Sequence, residues 1–388
     1  MPSSNASLPT STESASAPPD DRSVAVSVRN VAVSVALSAA VLGGIGYTTF
    51  DADALQKMIQ RVDVMILCAA VLATVGRVAA GGWRLHFVSQ GRLDLLSGIR
   101  GQLAWDFFSS VTPSAIGGGP VTAFYIARDR GITVGEATAF MLFSMLLDQI
   151  WFLIAIPLLF AASLAVPVIP ASIGSVGLWS VLAYFGVLMT WAGLFAYTML
   201  VRPHLLERLA ERVFDIRYLR RFRERVLAEM RTFADRAHHL RAQPPSFYVK
   251  GVGITALTWM GRYVLIFLVV RSVYAQADGL LLVLRTAAMT LLGLILPTPG
   301  GSGGVEGLYA LFIGPLMPSA LMAPTLLTWR LLGYYVFIAL GAYLFLHQVR
   351  KGTERPSAAH NELPASSNAP NDAPSEAAPV LREADSSS

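Results

Sequence analysis

Five ionisable residues lie inside long apolar stretches of the sequence. They are Arg77, Arg262, Arg330, Asp148 and Glu306. An ionised group at the centre of a bilayer costs at least ~2.5–3.5 kcal/mol, so such residues are functional candidates by default. The three arginines outnumber the two acids, and a guanidinium group binds phosphate oxygens with two parallel hydrogen bonds. The set therefore predicts a binding site for a phosphate-bearing anion.

Two breaks rich in glycine and proline supply backbone that could complete this site. Residues 112–120 have the sequence TPSAIGGGP, and residues 297–304 have the sequence PTPGGSGG. Helix N-termini after such breaks present unpaired N–H groups and the positive end of the helix dipole. Glycine also lets a headgroup approach the backbone closely. The predicted binding residues are Gly117, Gly118, Gly303 and Gly304, and the predicted gate residues are Thr112, Pro113, Thr298 and Pro299.

Each of these residues also has a purely structural interpretation. The pairs Arg77–Asp148 or Arg330–Glu306 could be ion pairs that hold helices together, and both roles stay open for any one residue. Arg271 and Arg285 are more simply explained as long side chains that reach the membrane interface. Runs of glycine also serve close helix packing in membranes.

Charge is scarce in the elements that must position these residues. The chain has 388 residues, of which 54% are hydrophobic and 14% charged, against about 25% charged in a soluble domain. Only 22 of the charged residues lie in residues 30–201 and 251–349. The net charge of +5 does not indicate nucleic-acid binding, because the basic residues flank apolar stretches. The sequence therefore predicts an all-α polytopic membrane protein.

Eight apolar segments build this membrane domain. A spanning helix needs about 20 mostly apolar residues. The segments 101–127 and 280–317 contain the two breaks, and broken backbone at membrane depth must be buried in protein or line a wet cavity. We therefore expect two re-entrant helical hairpins beside six full transmembrane helices. The six predicted spans are 31–50, 62–82, 133–162, 178–201, 249–271 and 321–347.

Basic residues beside the spans predict which ends face the cytoplasm. Arg84, Arg92 and Arg100 mark an inside loop, and residues 202–250 hold 12 basic against 6 acidic residues. Both termini are then cytoplasmic, in a multi-pass protein of the plasma (inner) membrane. The predicted domains are disordered tails at 1–28 and 351–388 and a transmembrane domain at 29–350. Its basic loop, 202–248, is expected to form an amphipathic helix on anionic lipid, with partner docking as the alternative.

The two halves of the membrane domain share landmarks at a nearly constant offset. Matches at an offset of 185 or 186 residues are Gly76-Arg77 with Gly261-Arg262, Arg100 with Arg285, Thr112-Pro113 with Thr298-Pro299, and Gly117-Gly118 with Gly303-Gly304. The halves 31–162 and 178–347 are then an inverted repeat, an architecture typical of secondary transporters with a site between the repeats. Coincidence is the alternative, because such breaks are common in membrane chains.

Signatures of an enzyme are weak in this sequence. The histidines show no metal-ligand spacing, and no nucleophile elbow or nucleotide-binding loop is present. The lone cysteine, Cys68, excludes a disulfide framework. Asp148 and Glu306 are the only acids that we expect to be buried. We therefore expect a protein without catalytic activity, metal or cofactor.

Four stretches carry a resemblance to a known family: 112–131, 136–149, 296–307 and 329–335. Over most of 31–347 the chain resembles the lysylphosphatidylglycerol synthase transmembrane region family, also described as flippase-like integral membrane proteins. Its best-known members flip aminoacylated phosphatidylglycerol, and relatives are tied to polyprenyl-phosphate or hopanoid pathways. The resemblance implies a path that carries a lipid from the inner to the outer leaflet.

Two departures from the family pattern limit which family activities we expect of this chain. Synthase members continue into a soluble aminoacyl-transferase domain, whereas this chain has a low-complexity tail after Arg355. We therefore expect that it does not attach lysine to a lipid. Family members often have a basic residue after the first Gly-Gly-x-Pro, where this sequence has Val121 and Thr122. The identity of the lipid therefore stays open.

Together these observations predict a lipid translocase for a phospholipid or another phosphate-bearing lipid. The arginines would neutralise the phosphate. Asp148 and Glu306 would hold those arginines, or accept a cationic headgroup or a coupling proton. Two alternatives stay open at this point. One is a non-catalytic membrane subunit that recruits a separate lipid-modifying enzyme, and the other is an intramembrane lipid transferase with Asp148 or Glu306 as its base.

Overall fold

Helices account for the regular structure of the described chain. The computed structural model describes residues 62–112, 118–201 and 223–344, together with isolated positions between 36 and 60. No β-strand occurs among these residues. The predicted tails, most of the predicted span 31–50 and residues 202–222 of the basic loop lie outside the described part of the chain.

The α-helices are numbered in chain order. They are α1 Val64–Val88, α2 Leu95–Val111, α3 Gly118–Arg130, α4 Val134–Ser163, α5 Gly174–Leu200, α6 Arg223–Arg241, α7 Pro245–Arg271, α8 Gly279–Leu292, α9 Gly304–Phe312 and α10 Met322–Arg330. A π-helical turn, Leu331–Tyr335, follows α10, and helix then continues to residue 344. Short 3-10 turns lie at Ala171–Ile173, Gly293–Ile295, Gly314–Leu316 and Ser319–Leu321.

Polar side chains at the helix starts explain several of these boundaries. The Asp63 carboxylate accepts hydrogen bonds from the first amides of α1, at 2.9 and 3.1 Å. The Thr133 hydroxyl accepts one from the Glu136 amide at the start of α4. The Asp278 carboxylate accepts one from the Leu281 amide at the start of α8. Such caps pair amides that have no partner within the helix.

Five helical segments are long and apolar enough to cross a membrane. They are Val64–Val88, Val134–Ser163, Ala171–Leu200, Pro245–Arg271 and Ser319–Leu344. Each coincides with a predicted span. One boundary prediction is wrong: α1 continues past residue 82 to Val88, so Arg84 is a buried helix residue and not a loop marker.

Each predicted broken segment forms two short helices that pack against each other. In the first segment α2 packs against α3, and in the second α8 packs against α9. Pro113 and Gly117 of the first break lie outside the described residues. In the second break, Gly300, Gly301 and Gly303 have φ angles of 60°, 67° and 86°. Glycine adopts this left-handed region without steric cost, so the break forms a tight turn.

Small residues allow the central helices to approach closely. Helices α1 and α7 form the most extensive helix pair in the described chain. A Cβ at Gly261 of α7 would lie 2.8 Å from Arg77 Cβ, and one at Gly82 of α1 would lie 2.6 Å from the Ile99 backbone nitrogen of α2. Glycine therefore brings α1 into direct contact with both α2 and α7.

Glycine contacts at the α1–α2 interface predict a stability difference between two substitutions in one helix. We expect Gly82→Ala to lower stability by about 1–3 kcal/mol, because its methyl group would overlap the Ile99 backbone. Gly76→Ala is the matched control, since a Cβ there meets no described atom within 4 Å. The measurement is the thermal midpoint of each purified variant in detergent. Equal midpoints for the two variants would contradict this packing.

Candidate functional site

A cavity of about 430 Å³ lies between α1, α2, α4, α5 and α7. We call it the central cavity. Its wall is mainly aromatic and aliphatic, with Trp105, Phe152, Tyr184, Trp191 and Trp259 among the lining residues. Arg84, Asp106, Asp148 and Arg262 are the charged side chains in the described lining. The cavity therefore combines an apolar wall with a small charged cluster.

The first ion pair of this cluster joins α1 to α2. Arg77 donates to both carboxylate oxygens of Asp106, with distances of 3.2 Å to Oδ1 and 3.0 Å to Oδ2. The two side chains are 4% and 9% exposed. The Arg77 guanidinium also lies 4.5 Å from the centre of the Phe337 ring, a cation–π contact. Arg77 is therefore engaged by protein groups on two sides.

The second ion pair joins α1 to α4. Arg84 Nη1 lies 2.6 Å from Asp148 Oδ1, and Trp259 Nε1 of α7 donates to the same oxygen at 2.8 Å. The Arg84 side chain is 4% exposed, and its guanidinium lies 5.3 Å from the centre of the Trp105 ring. Asp148 thus fixes three helices at one point and neutralises Arg84.

Arg262 differs from the other two arginines because it is open to the cavity. Its side chain is 40% exposed, and among the described residues its one hydrogen bond runs to Asp106 Oδ1 at 3.4 Å. The guanidinium lies 5.3 Å from the Trp259 ring, which orients it without neutralising it. With Arg77 and Arg84 already paired, Arg262 leaves one net positive charge at the wall of an apolar cavity.

A separate buried ion pair lies at the second break. Arg330 Nη2 lies 2.7 Å from Glu306 Oε1, and the two side chains are 4% and 0% exposed. Glu306 Oε2 accepts a hydrogen bond from the Gly303 amide at 2.8 Å, so the same carboxylate caps α9. This pair does not line the central cavity.

The turn of the second break is also held by α10 and the π-helical turn that follows it. Arg330 lies 4.7 Å from the centre of the Tyr334 ring, and the Tyr334 hydroxyl is 3.3 Å from Ser302 Oγ. Gly300 lies against the hydroxyl end of the Tyr334 ring, where a Cβ would collide with it. A π-helical turn is rare and is often found at functional sites.

The predicted site residues therefore fall into two groups. Arg262 and Asp148 line the cavity, and Arg77 lies directly behind it through Asp106. Arg330, Glu306 and Gly303 form the second group. Two of the other glycine candidates pack against side chains: Gly118 against Ser109, a cavity residue, and Gly304 against Leu296. Of the predicted gate residues, Thr112 donates a hydrogen bond to the Phe108 carbonyl, and the Thr298 hydroxyl is buried.

The structure corrects the predicted partners of the buried charges. Arg330 pairs with Glu306 as one structural interpretation proposed, but Arg77 pairs with Asp106 and not with Asp148. The expectation of only two buried acids is wrong, because Asp106 and Glu136 are 9% and 7% exposed. Asp106 could have been found as the single charge among the last ten residues of an apolar helix.

One prediction about a peripheral charge is also wrong. Arg285 does not reach an interface, since it is 6% exposed and donates to the carbonyls of Pro167 and Phe312. At the described end of the basic loop, Arg236 of α6 lies 2.7 Å from Glu136 and Leu240 is buried, while the amphipathic helix expected on anionic lipid stays a prediction. Among the described residues no group of three or more possible metal ligands occurs.

The buried pair at the second break predicts a large loss of stability when one partner is neutralised. Glu306→Gln keeps an oxygen for the Gly303 amide but leaves Arg330 buried without a counter-charge. We expect a loss of about 3–5 kcal/mol, measured by thermal unfolding in detergent.

The double variant Glu306→Gln with Arg330→Met serves as the control for this prediction. It removes both charges, so we expect it to recover most of the lost stability. A single variant with the thermal midpoint of the unsubstituted protein would show that the pair is not buried as described.

Comparisons with known proteins agree with this architecture. A family model described as the lysylphosphatidylglycerol synthase TM region matches residues 31–341. A UPF0104 membrane protein from Archaeoglobus fulgidus is 21% identical over 321 residues, covering 80% of this chain and 94% of that protein. No solved structure matches. The family match covers most of the chain, including four membrane-length helices in full and most of the fifth, so this multi-pass membrane protein belongs to the lysylphosphatidylglycerol synthase transmembrane region family.

Proposed function

We propose that this protein is a lipid translocase that moves a phosphate-bearing headgroup between leaflets through the central cavity. The observation that carries the proposal is the exposed guanidinium of Arg262 on the wall of an apolar, aromatic cavity. A cation in such surroundings is expensive unless an anion neutralises it. A lipid phosphate supplies that anion, and its oxygens match the donors of a guanidinium group.

The position of the cavity supports a lipid and not a water-soluble anion. Val187 and Trp191 of α5 line the cavity and are 67% and 50% exposed, and the buried residues of this membrane-length helix are limited to Ala192, Ala196 and Met199. An apolar outer surface on a membrane-length helix faces acyl chains. A headgroup can then enter beside α5 while its acyl chains stay in the bilayer.

The proposed architecture is an inverted repeat with two re-entrant hairpins. The order of α1, the α2–α3 pair and α4 recurs as α7, the α8–α9 pair and α10. Residues 31–50 would be the first span of the first half, and α5 the first span of the second half. With α1, α4, α7 and the segment that begins with α10, this gives six spans in all. In this arrangement both termini are cytoplasmic, in the plasma membrane, and the site lies between the repeats.

The two breaks would then act as gates at opposite faces. The second gate is closed by the Glu306–Arg330 pair and by Tyr334 against the Gly300 turn. Its opening would involve the π-helical turn, because this is where the backbone of the last span departs from regular helix. The deep arginines would contribute unequally: Arg262 contacts the phosphate, while Arg77 and Arg330 stabilise the surrounding structure.

We propose transport without catalysis. Asp106, Asp148 and Glu306 are each held by an arginine, and a carboxylate in such a pair is a poor general base. The intramembrane-transferase alternative would need one of these acids as its base. The pairing therefore favours a translocase.

Removal of the Arg262 guanidinium tests the proposal. We expect Arg262→Ala to reduce the rate at which fluorescent phosphatidylglycerol crosses liposome membranes by at least about tenfold, because the remaining arginine of the cavity wall, Arg84, is already paired with Asp148. The measurement is dithionite quenching of the labelled lipid in proteoliposomes. Arg241→Ala, which removes an exposed positive charge from α6, is the matched control and should leave the rate unchanged.

Two results would contradict this function. Unchanged lipid movement in Arg262→Ala, with equal protein incorporation, would remove the assigned site. A chemically modified lipid formed by the purified protein would instead establish a transferase.

A further inference from the structure

We propose that the central cavity selects lipids whose headgroup carries one net negative charge, that is, a phosphodiester without a compensating amine. The inference takes the central cavity as the headgroup site and to that extent rests on the proposed function. It goes further by assigning the charge of the substrate. Its basis is the charge balance of five side chains around the cavity: Arg77, Arg84, Arg262, Asp106 and Asp148.

Two of the three arginines are neutralised by the protein itself. Arg77 uses two nitrogens to bind both oxygens of Asp106, and Arg84 lies 2.6 Å from Asp148. The guanidinium-bearing side chains of these pairs are each 4% exposed. Neither pair therefore offers a charge to a ligand unless it is broken, and breaking a buried pair is strongly unfavourable.

Arg262 supplies the one charge that remains. Its side chain is 40% exposed and its contact with Asp106 is long, at 3.4 Å. Asp106 already accepts two shorter hydrogen bonds from Arg77, so it cannot fully neutralise Arg262 as well. Three arginines against two aspartates leave a single positive charge for the ligand.

The rest of the described cavity wall is uncharged. It contributes rings, aliphatic side chains and a few neutral polar groups such as Thr258, whose hydroxyl donates to the Ile254 carbonyl. A doubly charged phosphomonoester or a diphosphate would therefore bring at least one negative charge that finds no partner. Burial of an unpaired charge is disfavoured, so these lipids should bind less well.

Headgroups with an added amine are disfavoured by the same balance. An ammonium group needs a free carboxylate, but Asp106 and Asp148 are both committed to arginines. The aromatic faces of Trp105 and Trp259 are also occupied, by Arg84 and Arg262 respectively. The cavity thus offers a cationic headgroup no free counter-charge, and two of its three tryptophan rings already hold a guanidinium group.

Binding to the full-length protein tests this selection without any transport step. The probes are short-chain phosphatidylglycerol, phosphatidic acid at alkaline pH and phosphatidylethanolamine, titrated by ligand-induced thermal shift in detergent. We expect phosphatidylglycerol to bind about tenfold more tightly than either of the other two lipids. Equal or tighter binding of phosphatidic acid or phosphatidylethanolamine by the unsubstituted protein would overturn the inference, and this comparison needs no variant.

A substitution that frees a second arginine should change the preference. Asp148→Asn leaves Arg84 without its carboxylate and raises the charge of the cavity from one to two. We expect its affinity for phosphatidic acid to rise relative to phosphatidylglycerol by about tenfold. Asp235→Asn, at an exposed position of α6, changes the total charge equally and should not alter the preference.

A second variant covers the case in which Asp148→Asn does not fold. Asp106→Asn frees Arg77 and Arg262 together and should shift the preference in the same direction. A folded variant of either kind that keeps the original preference would overturn the inference. If the binding preference holds but no lipid moves in proteoliposomes, the proposed translocation fails while charge selection stands.

Discussion

A charge removed from water requires an opposite charge, and this requirement organises the centre of the protein. Arg77, Arg84 and Arg330 lie in helices that a bilayer would surround, and each is bound by a carboxylate from another helix. Because an isolated buried charge is far more costly than a paired one, these contacts fix the relative positions of the helices that carry them. The pairs therefore act as constraints on geometry.

Glycine makes the pairing possible at this distance. The contacts of Gly82 with Ile99 and of Gly261 with Arg77 bring α2 and α7 directly against α1. Asp106, Arg77 and Arg262 come from those three helices and meet at one point. Small residues in membrane helices thus serve two ends: they provide close packing, and they allow short charged side chains to reach one another.

Two identical dipeptides show how similar sequence acquires different roles. Gly76-Arg77 and Gly261-Arg262 lie 185 residues apart. Gly261 packs against Arg77, whereas a Cβ at Gly76 would meet no described atom within 4 Å. Arg77 is bound on both sides, while Arg262 is open to the cavity. The asymmetry leaves one guanidinium available to a ligand, which is the feature on which the proposed function depends.

The sequence by itself determined the class of protein, because long apolar stretches with few charges leave helices in a membrane as the stable solution. It also located the two breaks, since the backbone preferences of glycine and proline are local, and its candidate binding residues included Arg262 and Asp148, which line the central cavity. Only the tertiary structure decided the partners. Asp106 was missed although it stands alone as a charge near the end of an apolar helix, and Arg84 was missed because that helix was predicted to end at residue 82. Arg77 was assigned the wrong acid because pairing depends on which helix faces meet. That arrangement is set by packing between residues distant in the chain, and local pattern carries no record of it.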